Sequence, residues 1–302
     1  MDDDDDVGSG QAPLGQRRAV LDTYRSIRLA IVLLVVLLAA AVVAQAVAAG
    51  CWQTSLSAYY WTAAHSVFVA VLCGIGMCLL VYKGSSPVED AVLDFSGFLA
   101  FVVAMVPTGR ERICGGPSLP PEYVAADGVR NNVLAVLVAG AVAQAVHLVV
   151  AARGRARPAP DAAARWARAV GWLVVAVGAV VFFTDPQRLI TSGHNAAAPT
   201  MFVGVILVVW INARQARRAR ERAAYATTYR TIAVAMGVTL VVIGLLRFVV
   251  VPAWDHAVIV VEALLVAEFA AFWLVQTAEL WHVVDRRDLM PAARHSAGEP
   301  RP

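Results

Sequence analysis

Charge is what this 302-residue chain has least of. Asp, Glu, Lys and Arg make up 16% of it, and lysine occurs once, as Lys83. An average soluble domain is about 25% charged. With 59% apolar residues and a mean hydropathy of +0.65, the chain has too few polar groups to clothe a soluble globule. The same balance excludes a disordered polymer. Four cysteines are too few for a disulfide-dense scaffold. No Walker-type Gly-rich Lys segment occurs, which excludes ATP-driven transport within this chain, and no HExxH, HxxxH or nucleophile-elbow spacing is present. No cofactor is expected, and no enzymatic activity of its own.

What the chain has is apolar runs near the ~20 residues that cross a bilayer core. Eight are read, at about 29–50, 65–82, 91–107, 132–152, 169–184, 197–212, 231–251 and 256–279. Backbone groups in lipid must be satisfied within the segment, so each run is expected to be a helix. The fold class is therefore an all-α polytopic membrane bundle of eight transmembrane helices. Its parts are a cytoplasmic arm at 1–28, a transmembrane domain at 29–282 and a cytoplasmic tail at 283–302.

Placing the 25 cations orients it. Arg17, Arg18, Arg25 and Arg28 lie on the arm, and Lys83 follows the second run. Five more arginines lie at 153–168, six at 214–230 and four at 286–301, so twenty fall on alternate connections. The positive-inside rule puts both termini in the cytoplasm. Arg outnumbers Lys 24 to 1 and Ala and Val abound, which suggests a GC-rich bacterial genome and a plasma membrane. The Arg-rich segment 212–222 would meet anionic lipid headgroups. Topology accounts for that charge, so nucleic acid is not an expected partner; a homo-oligomer is compatible with the sequence.

Orientation gives each polar residue a side and a depth. Cys51 and Cys114 fall on the outside and are expected to form a disulfide, whereas Cys73 and Cys78 lie within the second run. The outer segment 51–64, with Ser57, Tyr59 and Tyr60, reads as an interfacial belt, a re-entrant cap or a ligand lid. Arg247 and Glu262 stand at similar depth on adjacent helices and are expected to pair. Glu268 is deeper and lacks a cation nearby, so Gln144 or Gln45 is its expected partner, and it is the carboxyl a proton-coupled transporter would use. His65, His194 and His256 begin three helices at the outer mouth, where convergence would make a zinc site and an intramembrane hydrolase. Asp90 and Asp94 suit a helix N-terminus, while Gly74, Gly76 and Gly97 suit close helix contact.

Residues 63–71 are similar to 197–205, and 132–144 align without gaps on 256–268. Both shifts span four helices, which points to two parallel four-helix halves.

Four stretches carry a family resemblance: Ser55-Leu56-Ser57-Ala58-Tyr59-Tyr60, Ala104-Met105-Val106-Pro107-Thr108, Asn131-Asn132-Val133 and Gln276-Thr277-Ala278-Glu279-Leu280-Trp281. They resemble an uncharacterised family of actinobacterial multi-spanning membrane proteins, over most of the eight runs. That family has no assigned activity, so the resemblance implies a fold, and a shared site at Ser57, Tyr59, Tyr60, Asn131, Asn132 or Glu279. The outer Ser-rich segment is also similar to the DRAM/Sfk-like membrane family, tied to lipid and membrane regulation, although eight spans exceed the number usual there. The expected function is binding of a lipid or small amphipathic ligand from the outer side.

Overall fold

A computed structural model describes residues 14–109, 113–119, 126–153, 161–219, 223–245 and 255–283. Among them are eight α-helices and no strand: α1 Leu14–Ala49, α2 His65–Val81, α3 Pro87–Met105, α4 Ala126–Arg153, α5 Ala162–Thr184, α6 Pro186–Arg218, α7 Ala223–Leu245 and α8 Ala257–Glu279. A 3-10 helix, Ser57–Trp61, lies between α1 and α2.

Six of the helices, α1 and α4 to α8, are long and apolar enough to cross a membrane. Of the other two, α2 has 17 residues, about 25 Å at 1.5 Å per residue. α3 has 19 and carries Glu89, Asp90 and Asp94. Large apolar side chains point outward, among them Leu33, Val47, Leu173 and Val180. Such a surface suits lipid rather than water.

α3 and α6 pack together at the centre, with α2 against α3 and α7 against α6. α1 and α8 pack on each other, while α4 lies against α3 and α6. At the crossing of α2 and α3 the backbones nearly touch. A Cβ on Gly76 would stand 2.8 Å from the Gly97 carbonyl oxygen, and one on Gly97 would stand 2.7 Å from that of Gly76. Only hydrogen fits there, the role small residues play between membrane helices.

Two boundaries differ from the sequence reading, with consequences for the site. Residues 186–196 are helical rather than a connection: Asp185 caps α6 by accepting the Arg188 N–H, and Pro186 fills the first turn. That start carries His194 into the protein. Likewise α1 is helical from Leu14, so Arg28 is not part of a solvated arm. It is fully buried and donates to the carbonyls of Tyr24, Gln276 and Leu280.

Candidate ligand site

The segment after α1 folds inward as a plug. Cys51 is joined to Cys114, with Cα atoms 6.3 Å apart, and Gln53 exchanges two 3.0 Å hydrogen bonds with the Cys114 backbone. The Trp61 indole donates to the Thr108 carbonyl, and the Ile259 N–H donates to that of Thr54. Those ties hold Tyr59, Tyr60 and Trp61 buried. Burial pushes both phenols up. Most of the segment is thus covered by the helices, with Cys51, Trp52 and Ala63 exposed.

Ser57, first residue of the 3-10 helix, meets two long-range partners. Its hydroxyl lies 3.1 Å from Oε1 of Glu262 on α8 and 2.8 Å from Nε2 of His194 on α6. The Leu56 N–H donates to Oε2 of Glu262 at 2.6 Å, and Nδ1 of His194 lies 2.7 Å from the Val106 carbonyl oxygen. Three segments remote in sequence thus converge on one buried hydroxyl.

Glu262 and Ser57 line an otherwise apolar cavity of about 70 Å³ enclosed by α1, α2, α3, α6 and α8, with Leu38, Phe68, Met201 and Phe269 on its walls. Beside it, a cleft of about 540 Å³ runs between α1 and α8, from Trp52 and His256 at one end to Ala267. Residues 256–267 cover about 16 Å of helix, close to half the ~30 Å bilayer core. Val35, Leu38, Leu56 and Val266 line both spaces, so one layer of side chains separates them.

Other expectations fare differently. Arg247 lies outside the described residues, and Glu262 is held by Leu56 and Ser57. Glu268 does have a partner: the Thr239 hydroxyl on α7 donates to its Oε1 at 3.0 Å, in place of Gln144 or Gln45. Glu268 lines neither the cavity nor the cleft. The three histidines do not converge. Nδ1 of His65 faces the Tyr60 carbonyl, His194 faces Ser57, and His256 lies at the cleft. Among the described residues no three His, Cys, Asp or Glu side chains could hold a metal ion. Asn131 is exposed on α4, and neither it, Asn132 nor Gln144 hydrogen-bonds to the Ser57 cluster.

A hydroxyl against an imidazole suggests a nucleophile with its base. The surroundings argue against acyl transfer. The backbone N–H of Leu56 is used by Glu262 and that of Ala58 by Ser55, which leaves no free donor on either side of Ser57 for an oxyanion.

A second polar cluster, unforeseen from the sequence, closes the opposite end. Glu89 is fully buried, accepting from Asn212 at 2.8 Å, the Ser85 N–H at 2.9 Å and Gln215 at 3.1 Å. Gln276 donates to Asn212 at 2.8 Å, and Tyr229 donates to Glu279 at 2.6 Å. Four helices, α3, α6, α7 and α8, are bound by these contacts, so the cluster reads as a clamp. A signal for it existed: Ser86-Pro87-Val88-Glu89 matches a capping box. Ser86 does accept the Glu89 N–H, while the Glu89 carboxylate turns inward.

Compared with known proteins, the chain matches no family model, no curated protein and no solved structure. The site must be read from its own chemistry.

Proposed function

We propose that this is an eight-span plasma-membrane protein, both termini cytoplasmic, that binds a lipid or small amphipathic ligand from its outer half. One observation carries the reading: an apolar cavity with only Ser57 and Glu262 as polar wall groups, beside a lipid-facing cleft one leaflet deep. Such a space suits an alkyl chain with a single hydrogen-bonding head. The twenty cations on alternate connections support the orientation, and the resemblance to actinobacterial multi-spanning proteins is in keeping with it. The similarity of 132–144 to 256–268 supports two parallel halves.

Transport coupled through Glu268 has less support, because that residue lines neither the cavity nor the cleft. The test is lipid retention. Native mass spectrometry of the purified protein should show co-purified amphiphile that is lost when Ala198, on the cavity wall, is replaced by Phe. Equal retention by both proteins contradicts the reading.

A further inference from the structure

Ser57 has one hydroxyl proton, and two groups stand within reach of it, Oε1 of Glu262 and Nε2 of His194. Their other atoms are committed. Nδ1 of His194 faces the Val106 carbonyl, which can only accept, so Nδ1 bears a hydrogen. Oε2 of Glu262 accepts the Leu56 N–H. With a neutral imidazole and an ionised carboxylate, the hydroxyl could serve only one of its two neighbours. The other would lose that bond: Nε2 of His194 would have no donor, or the Glu262 carboxylate would keep only the backbone N–H groups of Leu56 and Ser57.

One additional proton removes the conflict, in either of two places. On Glu262, the carboxyl O–H donates to Ser57 and Ser57 donates to Nε2 of His194. On His194, Nε2–H donates to Ser57 and Ser57 donates to the carboxylate. Both arrangements satisfy every group without moving a heavy atom.

We propose that Glu262, Ser57 and His194 share one proton, which lets the cavity select amphiphiles with an ammonium head. The ammonium pairs with the carboxylate. The O–H bond at Glu262 breaks, Ser57 gains that proton while releasing its own, and an N–H bond forms at Nε2 of His194. The proton count of the protein is unchanged. An anionic head would meet the carboxylate itself, whose one described cationic neighbour, the His194 imidazolium, is already joined to it through Ser57.

No other described charge intervenes. α1, α2 and α3 present Val35, Leu38, Phe68, Leu72 and Val103 to the cavity. The 3-10 helix adds Tyr59 and Tyr60, whose phenols burial keeps protonated, and His65 turns to the Tyr60 carbonyl. Asp255 and His256 precede α8 at the Trp52 end of the cleft, and Asp185 and Arg188 lie at the start of α6. Arg130 of α4 is exposed, while Arg165 and Arg168 of α5 and Arg230 of α7 lie within the first eight residues of helices that start at the other end.

The ligand half of the proposal rests on the cavity being a binding site; the proton half does not. The experiment uses full-length protein in lipid nanodiscs, with ¹⁵N NMR of His194 and the infrared carboxyl band of Glu262. Without ligand, Glu262→Gln should change the His194 protonation profile between pH 5 and 8, and Ser57→Ala should uncouple the two groups. His194→Gln serves if Ser57→Ala does not fold, by shifting the Glu262 band. A His194 profile identical in wild type and Glu262→Gln overturns the shared proton. Dodecylamine should then bind at least tenfold more tightly than dodecanol, abolish the protonated-carboxyl band and protonate His194 one for one. Equal affinities overturn the ammonium selectivity, and binding of neither overturns the cavity reading.

Discussion

Nε2 of His194, on α6, lies 2.8 Å from the Ser57 hydroxyl, 137 residues away in the 3-10 helix between α1 and α2. Glu262 of α8 completes the group on the other side of that hydroxyl. The cap, α6 and α8 are thereby locked at one point, and the cavity floor lies just beneath. Removing the hydroxyl takes a hydrogen-bond partner from two buried groups, Glu262 and His194. Ser57→Ala should lower the thermal midpoint by an amount corresponding to about 1–3 kcal/mol. Ser57→Thr, which keeps the hydroxyl, should lose less, and scanning fluorimetry in detergent compares the two.

Glu89 binds the opposite end. Replacement by Leu removes the acceptor shared by Asn212, Gln215 and the Ser85 N–H, although Asn212 keeps the Val208 carbonyl and Gln215 keeps Ser86, so a loss of about 3 kcal/mol is expected. Glu89→Gln keeps acceptor capacity and should be milder. Equal midpoints for Glu89→Leu and wild type would mean that the clamp does not hold the bundle.

At the α2–α3 crossing, Gly97→Leu should prevent the helices from closing, because its Cβ would already sit 2.7 Å from the Gly76 carbonyl oxygen. Loss of the monodisperse peak in size-exclusion chromatography is the expected result. Gly237→Leu on α7, where nothing lies within 4 Å of an added Cβ, should leave that peak unchanged.

The cap depends on Cys51 and Cys114. Denatured protein alkylated without reductant should gain two labels, at Cys73 and Cys78, and four after reduction. Four labels without reductant would contradict the bridge.

The helical architecture was legible because apolar runs near membrane length have few other solutions. Polar partnerships were less so. Depth along a span placed Glu262 and Glu268 in the membrane, but it cannot say which way a side chain turns. Glu262 found a hydroxyl on the inserted cap, and Glu268 found Thr239 on the next helix. His194 was placed at the outer mouth, yet its role was hidden. Gly193, Asn195 and Pro199 make residues 185–196 look like a connection, whereas the Asp185 cap starts a helix there. Arg28 and Asn212 were read as membrane-surface residues; both are wholly buried, with carbonyls and amides as partners.

The central claim is that an alkyl chain reaches the Ser57–Glu262 cavity through the cleft between α1 and α8. Its most direct measurement is the affinity of a fluorescent dodecyl amphiphile for wild type and for Ala263→Trp, which places an indole in the cleft without touching the cluster. The account predicts saturable binding weakened at least tenfold, about 1.4 kcal/mol. Equal binding by both proteins would contradict it.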